Sequence, residues 1–394
     1  MDKDHLIKIA NRRILKVIER PDIIMSKGQG MYLYDIEGNE YIDFVGGWAV
    51  NCLGHSPKAL SGILSEQSRT LINASPAFYN VPMIEYADLL IENCCFDRVF
   101  FMSTGAEANE GAIKLARKYG SLKKNGASDI ITTGHGFHGR TLTTMSATGK
   151  ERWDKLFEPK TKGFPKSVFN DIESILGLIS EKTCAIMIEL IQGEGGVHLA
   201  SKDYVRELRH ICDRENILLI FDEIQTGMGR TGKLFCYEHY DVEPDIMTLG
   251  KGIGGGFPLS AMLCKEELNI FDPGDQGGTY TGQPLAMAVG LTVLRELLNE
   301  GIIGNSREMG EWIQNTLLDL SDRYEIENIR GKGLLIAFDL MKTKESDFVS
   351  KCLKDGLLIN SPKENSIRLM PPLIVKKEEV NQMRRVFEKN LAKR

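Results

Sequence analysis

Short apolar runs divide the central part of the chain, and a cluster of glycines follows nearly every one of them. Runs of this length between turn-forming residues are typical of buried strands. Between the runs, apolar residues recur at helical spacing, which is typical of helices packed on a sheet. The pattern predicts strands over residues 99–102, 129–132, 185–190, 217–221 and 246–249, and helices over residues 105–119 and 203–215.

Strands that alternate with helices in this way predict an α/β fold with a mostly parallel sheet, covered by helices on both faces. In such sheets, ligands bind beyond the carboxyl ends of the strands. The glycine clusters follow these ends. We therefore expect the loops, rather than the strands, to carry the chemistry.

The two ends of the chain have shorter segments, which predict a smaller lobe of residues 1–49 and 286–394 beside a large domain over residues 50–285. Residues 28–45 have the pattern of short strands, with a hairpin turn at 35–39. The C-terminal part predicts a helix over 286–298, a strand over 334–340, a helix over 347–354 and a last helix with Val380, Met383, Phe387 and Leu391 on its inner face.

The composition excludes several classes of protein. Hydrophobic residues make up 42% of the chain and charged residues 26%, as is usual for globular proteins, and the net charge of −5 argues against nucleic-acid partners. No apolar run approaches the roughly 18 residues of a membrane span, and the first residues lack the apolar core of a signal peptide. The eight cysteines are scattered without a Cys-x-x-Cys pair, so we expect reduced thiols and a cytoplasmic protein.

Two glycine-rich stretches match nucleotide-binding signatures only in part. Residues 250–255 fit G-x-G-x-x-G, but the next acidic residues come earlier than the roughly 20-residue spacing of a dinucleotide site. Residues 227–233 fit G-x-x-x-x-G-K, but Leu234 stands where a Ser or Thr must hold magnesium. His135 and His138 lack a third residue at metal-ligand spacing, so no metal site is expected.

Three loops at predicted strand ends carry groups that suit one ligand. Residues 103–109 place hydroxyls and free N–H groups at the start of a helix, which suits a phosphate. Asp222 follows one strand, and Lys251, flanked by glycines, follows another. Each feature alone would also suit an ordinary helix cap or a surface side chain. Together they meet the needs of pyridoxal phosphate, because the lysine binds it covalently and the acid keeps its ring nitrogen protonated.

The chain resembles the class III aminotransferases of pyridoxal-phosphate fold type I, and among them the acetylornithine aminotransferase group, from about residue 30 to residue 372. The motifs that carry the resemblance occur in order along the chain, at residues 41–45, 53–55, 103–109, 137–141, 192–196, 221–225, 250–251, 278–280 and 367–372.

The resemblance implies a cofactor site for pyridoxal 5′-phosphate. Lys251 would hold the cofactor and move a proton, while Asp222 would pair with its ring nitrogen. Gln225 would contact the ring's phenolic oxygen, and Phe137 would stack on the ring. The residues that the resemblance assigns to the phosphate are Thr104, Gly105 and Ala106, together with Gly278 and Thr279 of a neighbouring subunit, which implies a homodimer.

The resemblance also implies a substrate site. Arg140 and Arg368 would receive carboxylates, since a planar guanidinium binds them in a bidentate manner. Glu194 would cover Arg368 while an ω-amino substrate is bound, and Glu189 would be a further acid of the same pocket. Trp48 stands at a substrate-facing position where the family usually has a smaller or differently shaped residue.

The expected reaction is the transfer of an ω-amino group from N2-acetylornithine to 2-oxoglutarate, which would give a semialdehyde and glutamate. Other donors, such as 4-aminobutyrate, ornithine or a small amine, stay open because of Trp48. A pyridoxal-phosphate aminomutase is less in keeping with the sequence, since an isomerase has no use for the Glu194–Arg368 pair. A regulator built on the same fold would need a DNA-binding module, for which the residues before the large domain leave no room.

Overall fold

A computed structural model describes residues 2–150, 153 and 155–393 of the chain. The N-terminal part consists of helix α1 (Lys3–Arg13) and an antiparallel meander of strands β1 (Met25–Gln29), β2 (Tyr32–Asp35) and β3 (Glu40–Asp43). The β2–β3 turn is held by a carboxylate oxygen of Asp35, which accepts two backbone N–H groups of the turn at 2.9 Å. This confirms the predicted hairpin turn.

The middle of the chain alternates between helices and strands. In chain order its elements are α2 (Gly46–Ala49), α3 (Lys58–Thr70), α4 (Val81–Glu92), β4 (Arg98–Met102), α5 (Gly105–Lys123), β5 (Asp129–Thr133), α6 (Leu142–Ala147), β6 (Lys166–Ser167), α7 (Ile172–Leu176), β7 (Thr183–Ile188), β8 (Ile191–Gln192), β9 (His198–Leu199), α8 (Lys202–Glu215), β10 (Leu218–Asp222), β11 (Ile246–Leu249) and β12 (Ser260–Cys264), with 3₁₀ turns at Cys236–His239, Lys251–Gly254 and Glu266–Leu268.

Seven of these strands form the central sheet, in the order β4-β12-β11-β10-β7-β5-β6. All of them run parallel except β12, which is antiparallel to both of its neighbours. The five predicted strands are therefore confirmed, and so is the mostly parallel sheet. Strand β12 was not predicted.

The sheet is buried on both faces because successive side chains of a strand point to opposite sides. Ile130 lies in the apolar cluster that packs under helix α5, whereas its neighbour Ile131 lies in the cluster that packs under helix α8. Both helices begin close to their predicted starts. Among the described residues, no helix is both long and apolar enough to cross a bilayer.

The C-terminal part returns to the N-terminal meander. Its elements are α9 (Pro284–Asn299), α10 (Ile302–Ser321), β13 (Ile326–Lys332), β14 (Leu335–Leu340), α11 (Glu345–Lys354), β15 (Leu357–Leu358), β16 (Ser366–Leu369) and α12 (Lys377–Asn390). Strands β13, β14 and β16 form an antiparallel sheet, and β15 pairs with β3 in parallel. The division into a large domain and a smaller lobe at residues 50 and 285 stays a prediction. Helix α9 begins at the second of these boundaries and packs against α3 and α4 of the predicted large domain.

Candidate active site

The carboxyl ends of β4, β10 and β11 bring together the three predicted groups. Strand β4 leads into the N-terminus of α5, β10 ends at Asp222, and β11 leads through Gly250 to Lys251. The loops approach each other so closely that a Cβ atom on Gly105 would lie 2.8 Å from Ile224 Cδ1, and one on Gly250 would lie 3.4 Å from the Gly105 Cα. Glycine at both positions therefore permits the lysine to lie beside the helix N-terminus.

The N-terminus of α5 is capped and still has free donors. Thr104 is the N-cap: its hydroxyl accepts from the N–H of Glu107, whose carboxylate in turn accepts from the N–H groups of Ser103 and Thr104. The N–H groups of Gly105 and Ala106, in the first turn, have no partner within the helix. Such donors, together with the positive end of the helix dipole, favour an anion such as a phosphate.

Asp222 is a buried acid surrounded by donors. Its Oδ2 accepts from Asn109 Nδ2 and from His138 Nδ1, both at 2.8 Å, and its Oδ1 accepts from the backbone N–H of Ile224 at 3.1 Å. Thr248 Oγ1 donates to Asn109 Oδ1 at 2.7 Å and so fixes the orientation of that amide. The carboxylate is thus held in place by side chains from several loops, with its charge at the edge of the sheet.

Lys251 has an unusual environment for a lysine. Its backbone φ of +48° lies in the left-handed region. Burial lowers the pKa of the amine to about 8, with Arg368 acting in the same direction and three nearby carboxylates acting against it. A larger share of the amine is therefore neutral, and able to act as a nucleophile or a base, than in a surface lysine.

Glu189 lies buried beside these groups. One of its carboxyl oxygens accepts from the backbone N–H of Phe137 at 2.8 Å. Burial, together with the negative charge of Asp222, raises the pKa of Glu189 well above its usual value. The ring of Phe137 is half-buried and lies 6.1 Å from that of Trp153, between ring centroids.

Arg368 on β16 is a fully buried cation that is paired with an acid. Its Nη1 lies 2.9 Å from Glu194 Oε1 and donates to the carbonyl of Gly193 at 2.8 Å. Burial alone would raise the pKa of Glu194, but the charges of Arg368, Lys251 and Lys150 outweigh it and hold that pKa below its usual value. The charged Glu194 carboxylate therefore lies against the guanidinium.

Gln225 lies against the same guanidinium, with its Oε1 at 3.4 Å from Arg368 Nη1. A Cβ atom on Gly193 would lie 1.7 Å from that oxygen, so only glycine allows the two loops to meet. Gln225 Nε2 is buried and has no hydrogen-bond partner among the described residues. This amide therefore has a donor available for a ligand.

The remaining predicted substrate residues lie near the surface. Trp48 is 50% exposed, and Arg140 is exposed with its guanidinium 5.9 Å from the centroid of the Trp153 ring. Gly278 and Thr279, which are predicted to reach the phosphate of a neighbouring subunit, lie on an exposed loop. The opening above Glu194 is a cavity of about 430 Å³ with a cationic rim, lined by His135, Arg140, Lys150, Glu194, Gly195, Pro362 and Lys363.

Two residues of this site have no role predicted from the sequence. His138 stands out there only as half of a histidine pair, and Asn109 only as part of a motif, yet both bind Asp222. The sequence signal that could have found them is their place inside two of the motifs, each just after a strand. Their contact with Asp222 depends on β4, β5 and β10 ending at one edge of the sheet.

The fold and the site together define the class of the protein. A lysine, an acid and an anion site at the carboxyl edge of this sheet are the features of a pyridoxal-phosphate-dependent enzyme of fold type I. Residues 16–391 match the family described as aminotransferase class-III, so the chain belongs to the class III aminotransferases.

Known proteins resemble the chain over nearly its whole length. It is 49% identical to acetylornithine aminotransferase of Ralstonia nicotianae, over 94% of each chain. Among solved structures it is similar to ornithine aminotransferase of Toxoplasma gondii ME49, with a TM-score of 0.95 and 31% identity over 99% of this chain and 95% of the other. It is also similar to acetylornithine aminotransferase from Elizabethkingia anophelis, with a TM-score of 0.87 and 31% identity over 99% of both chains. The predicted fold class and family are confirmed.

Proposed function

We propose that the protein transfers the ω-amino group of N2-acetylornithine to 2-oxoglutarate, with N-acetylglutamate semialdehyde and glutamate as products. The names of its relatives in Ralstonia nicotianae and Elizabethkingia anophelis support this donor. The observation that carries the proposal is the buried Glu194–Arg368 pair. An enzyme that binds an amino donor and a dicarboxylic acceptor in turn can use a carboxylate-binding group that is covered for one of them and uncovered for the other.

The residues at the sheet edge fit pyridoxal 5′-phosphate at both of its ends. The N–H groups of Gly105 and Ala106, with the Thr104 hydroxyl beside them, suit its phosphate. The unpartnered Nε2 of Gln225 would donate to its phenolic oxygen. Phe137 would pack on the face of its ring. When bound, the cofactor supplies an electron sink that no side chain offers.

Two further groups would hold the ring and serve the reaction. Asp222, fixed by its three donors, would pair with the ring nitrogen. Lys251 would bind the cofactor covalently, and its Nζ would accept a proton from the carbon that bears the donor's amino group. Because burial and the charge of Asp222 raise its pKa, Glu189 stays protonated over a wider pH range than an exposed glutamate.

Substrate carboxylates would bind at the cationic end of the cavity. With the donor bound, Glu194 stays on Arg368, and the donor's carboxylate would bind Arg140. With glutamate bound, Glu194 would move away, and the α-carboxylate would take its place on Arg368. A bidentate pair of this kind fixes the orientation of the substrate as well as its affinity.

We also propose a cytoplasmic homodimer, in which Gly278 and Thr279 reach the phosphate site of the partner subunit. The eight cysteines are all free thiols, in keeping with a reducing compartment. The loop that carries Gly278 is anchored by Asn80, whose Nδ2 donates to the carbonyl of Gly282 at 2.8 Å. This loop adjoins an apolar face, defined here as Phe78, Tyr79, Val81 and Ile84, whose side chains are all exposed.

The test is a donor panel with the purified enzyme, loaded with pyridoxal phosphate and scored by the glutamate formed from 2-oxoglutarate. N2-acetylornithine is expected to give the highest kcat/KM, ahead of ornithine and 4-aminobutyrate. Ornithine is the rival that the Toxoplasma structure suggests, since that protein is named for it. A panel led by ornithine or 4-aminobutyrate would reject the proposed donor, and absence of glutamate with every donor would reject the acceptor.

A further inference from the structure

Arg368 has a second contact beside the pair that it forms with Glu194. Its Nη2 lies against the amide of Asn360, and so does the indole N–H of Trp48. Both are donors, so the Asn360 amide is assigned with its oxygen toward them. The opposite orientation would give that oxygen one longer contact, of 3.4 Å, with Arg368 Nε. In this orientation the oxygen accepts from Arg368 Nη2 at 3.0 Å and from Trp48 Nε1 at 3.1 Å. One amide oxygen thus joins the tryptophan to the arginine.

The backbone fixes the positions of all three residues. The N–H of Arg368 donates to the carbonyl of Asn360 at 2.8 Å, in an isolated antiparallel bridge. The turn that carries Trp48 packs on the end of the same strand, because a Cβ atom on Gly46 would lie 2.7 Å from the carbonyl oxygen of Met370. Trp48 itself has a left-handed φ of +63°. The contact is therefore built from three segments whose backbones touch.

We propose that Asn360 and Trp48 are positioning residues for Arg368, with the Trp48 indole N–H orienting the Asn360 amide, which in turn holds the guanidinium. This inference rests on the proposed function, in which Arg368 binds the α-carboxylate of glutamate. In this arrangement the Trp48 indole acts on Arg368 through the Asn360 amide.

The need for such a contact follows from the burial of the arginine. The side chain of Arg368 is 1% exposed, so each of its N–H groups requires a partner within the protein. Glu194 is the only partner with a charge among those described for this guanidinium, and it is the one that must leave when glutamate binds. Gly193, Gln225 and Asn360 would then remain as neutral acceptors that keep the guanidinium plane in place for the incoming carboxylate.

The effect should fall on one of the two half-reactions. While the donor is bound, Glu194 itself holds Arg368, so loss of Asn360 matters little. While glutamate is bound, loss of the amide leaves Nη2 without its acceptor and lets the guanidinium turn. A hydrogen bond to a charged group is worth roughly a tenfold to hundredfold change in binding. We expect the affinity for glutamate to fall by about tenfold, the lower end of this range.

The experiment compares Asn360→Ala, Trp48→Phe and the double variant. Trp48→Phe keeps an aromatic ring but removes the N–H donor, together with part of the bulk of the indole. Trp312→Phe is the matched control, since Trp312 is 39% exposed on α10 and packs under Lys377. Binding of glutarate, an unreactive dicarboxylate, is measured by calorimetry, and each half-reaction is followed in single turnovers with glutamate or with the amino donor.

Asn360→Ala is expected to weaken glutarate binding about tenfold and to raise the KM for glutamate with a smaller change in kcat, since one charge-assisted hydrogen bond is lost. Trp48→Phe should change the same quantities in the same direction but by less. The double variant should resemble Asn360→Ala alone, because coupled contacts do not add. Trp312→Phe should resemble the wild type.

The inference is overturned if Asn360→Ala folds normally and binds glutarate like the wild type. It is also overturned if the losses of glutarate affinity from the two substitutions are additive in the double variant. Equal losses in both half-reactions would also overturn it, because they would indicate a general structural role. If Asn360→Ala does not fold, the test is the KM for glutamate of Trp48→Phe compared with that of Trp312→Phe. A KM of Trp48→Phe no higher than that of its control would then overturn the inference. A wild type that converts the donor but neither binds glutarate nor reacts with glutamate would instead reject the proposed function, and this inference with it.

Discussion

At the scale of single residues, the buried amine of Lys251 is the group on which the proposed chemistry depends most. Its pKa of about 8 means that the neutral amine becomes the major form above that pH, rather than above the ordinary lysine value of 10.5. The rate at which the cofactor-free protein takes up pyridoxal phosphate should therefore rise as the pH passes about 8 and then level off. Stopped-flow absorbance measurements across this range would check it, and a rate still rising steeply near 10.5 would contradict it.

The identity of the lysine can be tested in the same protein. Lys251→Ala should lose nearly all turnover, because both cofactor attachment and proton transfer use this amine. Lys233→Ala is a suitable control, since Lys233 also follows a glycine but is exposed. Borohydride reduction followed by peptide mapping should label Lys251 alone, and a label on another lysine would refute the assignment.

The Glu194–Arg368 pair predicts opposite effects for its two members. Arg368→Ala should slow the glutamate half-reaction by at least about tenfold more than the donor half-reaction, because a buried charge-assisted contact to the α-carboxylate is lost. Glu194→Gln removes the negative charge that pairs with the guanidinium and should impair the donor half-reaction more. Single-turnover absorbance measurements of each half separate the two cases. Equal losses of rate in both half-reactions, in each variant, would contradict a Glu194 carboxylate that moves on and off Arg368.

At the scale of elements, the N-terminus of α5 both caps a helix and offers an anion site. Thr104→Ala removes the cap and should cost about 1 kcal/mol of the free energy of unfolding, whereas Thr104→Ser should keep most of it. Urea denaturation of the cofactor-free protein measures this cost. Thr104→Ala should also release pyridoxal phosphate faster. Unchanged stability together with unchanged cofactor release would mean that the cap is not what orders this loop.

At the scale of the whole molecule, the apolar face predicts the subunit interface. A contiguous exposed apolar patch is unusual for a monomer. Ile84→Asp, which places a charge on this face, should shift the protein from dimer to monomer in sedimentation analysis and abolish most turnover, because Gly278 and Thr279 would no longer reach a partner's site. Leu318→Asp, at a residue 53% exposed on α10, is the matched control and should stay dimeric and active. A fully active Ile84→Asp dimer would place the interface elsewhere.

Several parts of this molecule follow from local sequence alone. The apolar runs that form β4, β5, β7, β10 and β11 are set by short-range periodicity, and the glycines after them mark strand ends. Since the carboxyl ends of parallel strands meet at one edge of a sheet, the sequence pattern is enough to place Lys251, Asp222 and the N-terminus of α5 at Thr104 close together. Helices α3, α4 and α10 went unpredicted, as did strand β12.

Only the tertiary structure decided which side chains of separate loops touch. His138 and Asn109 meet on Asp222, and Asn360 meets Trp48 and Arg368, because of the order of the strands in the sheets and the return of the C-terminal part onto the N-terminal meander. Local periodicity carries no information on strand order, since the same strands could pair in other orders with the same faces buried. The sequence therefore determined the chemical groups and the edge at which they lie, and the packing of distant segments determined the contacts that orient them.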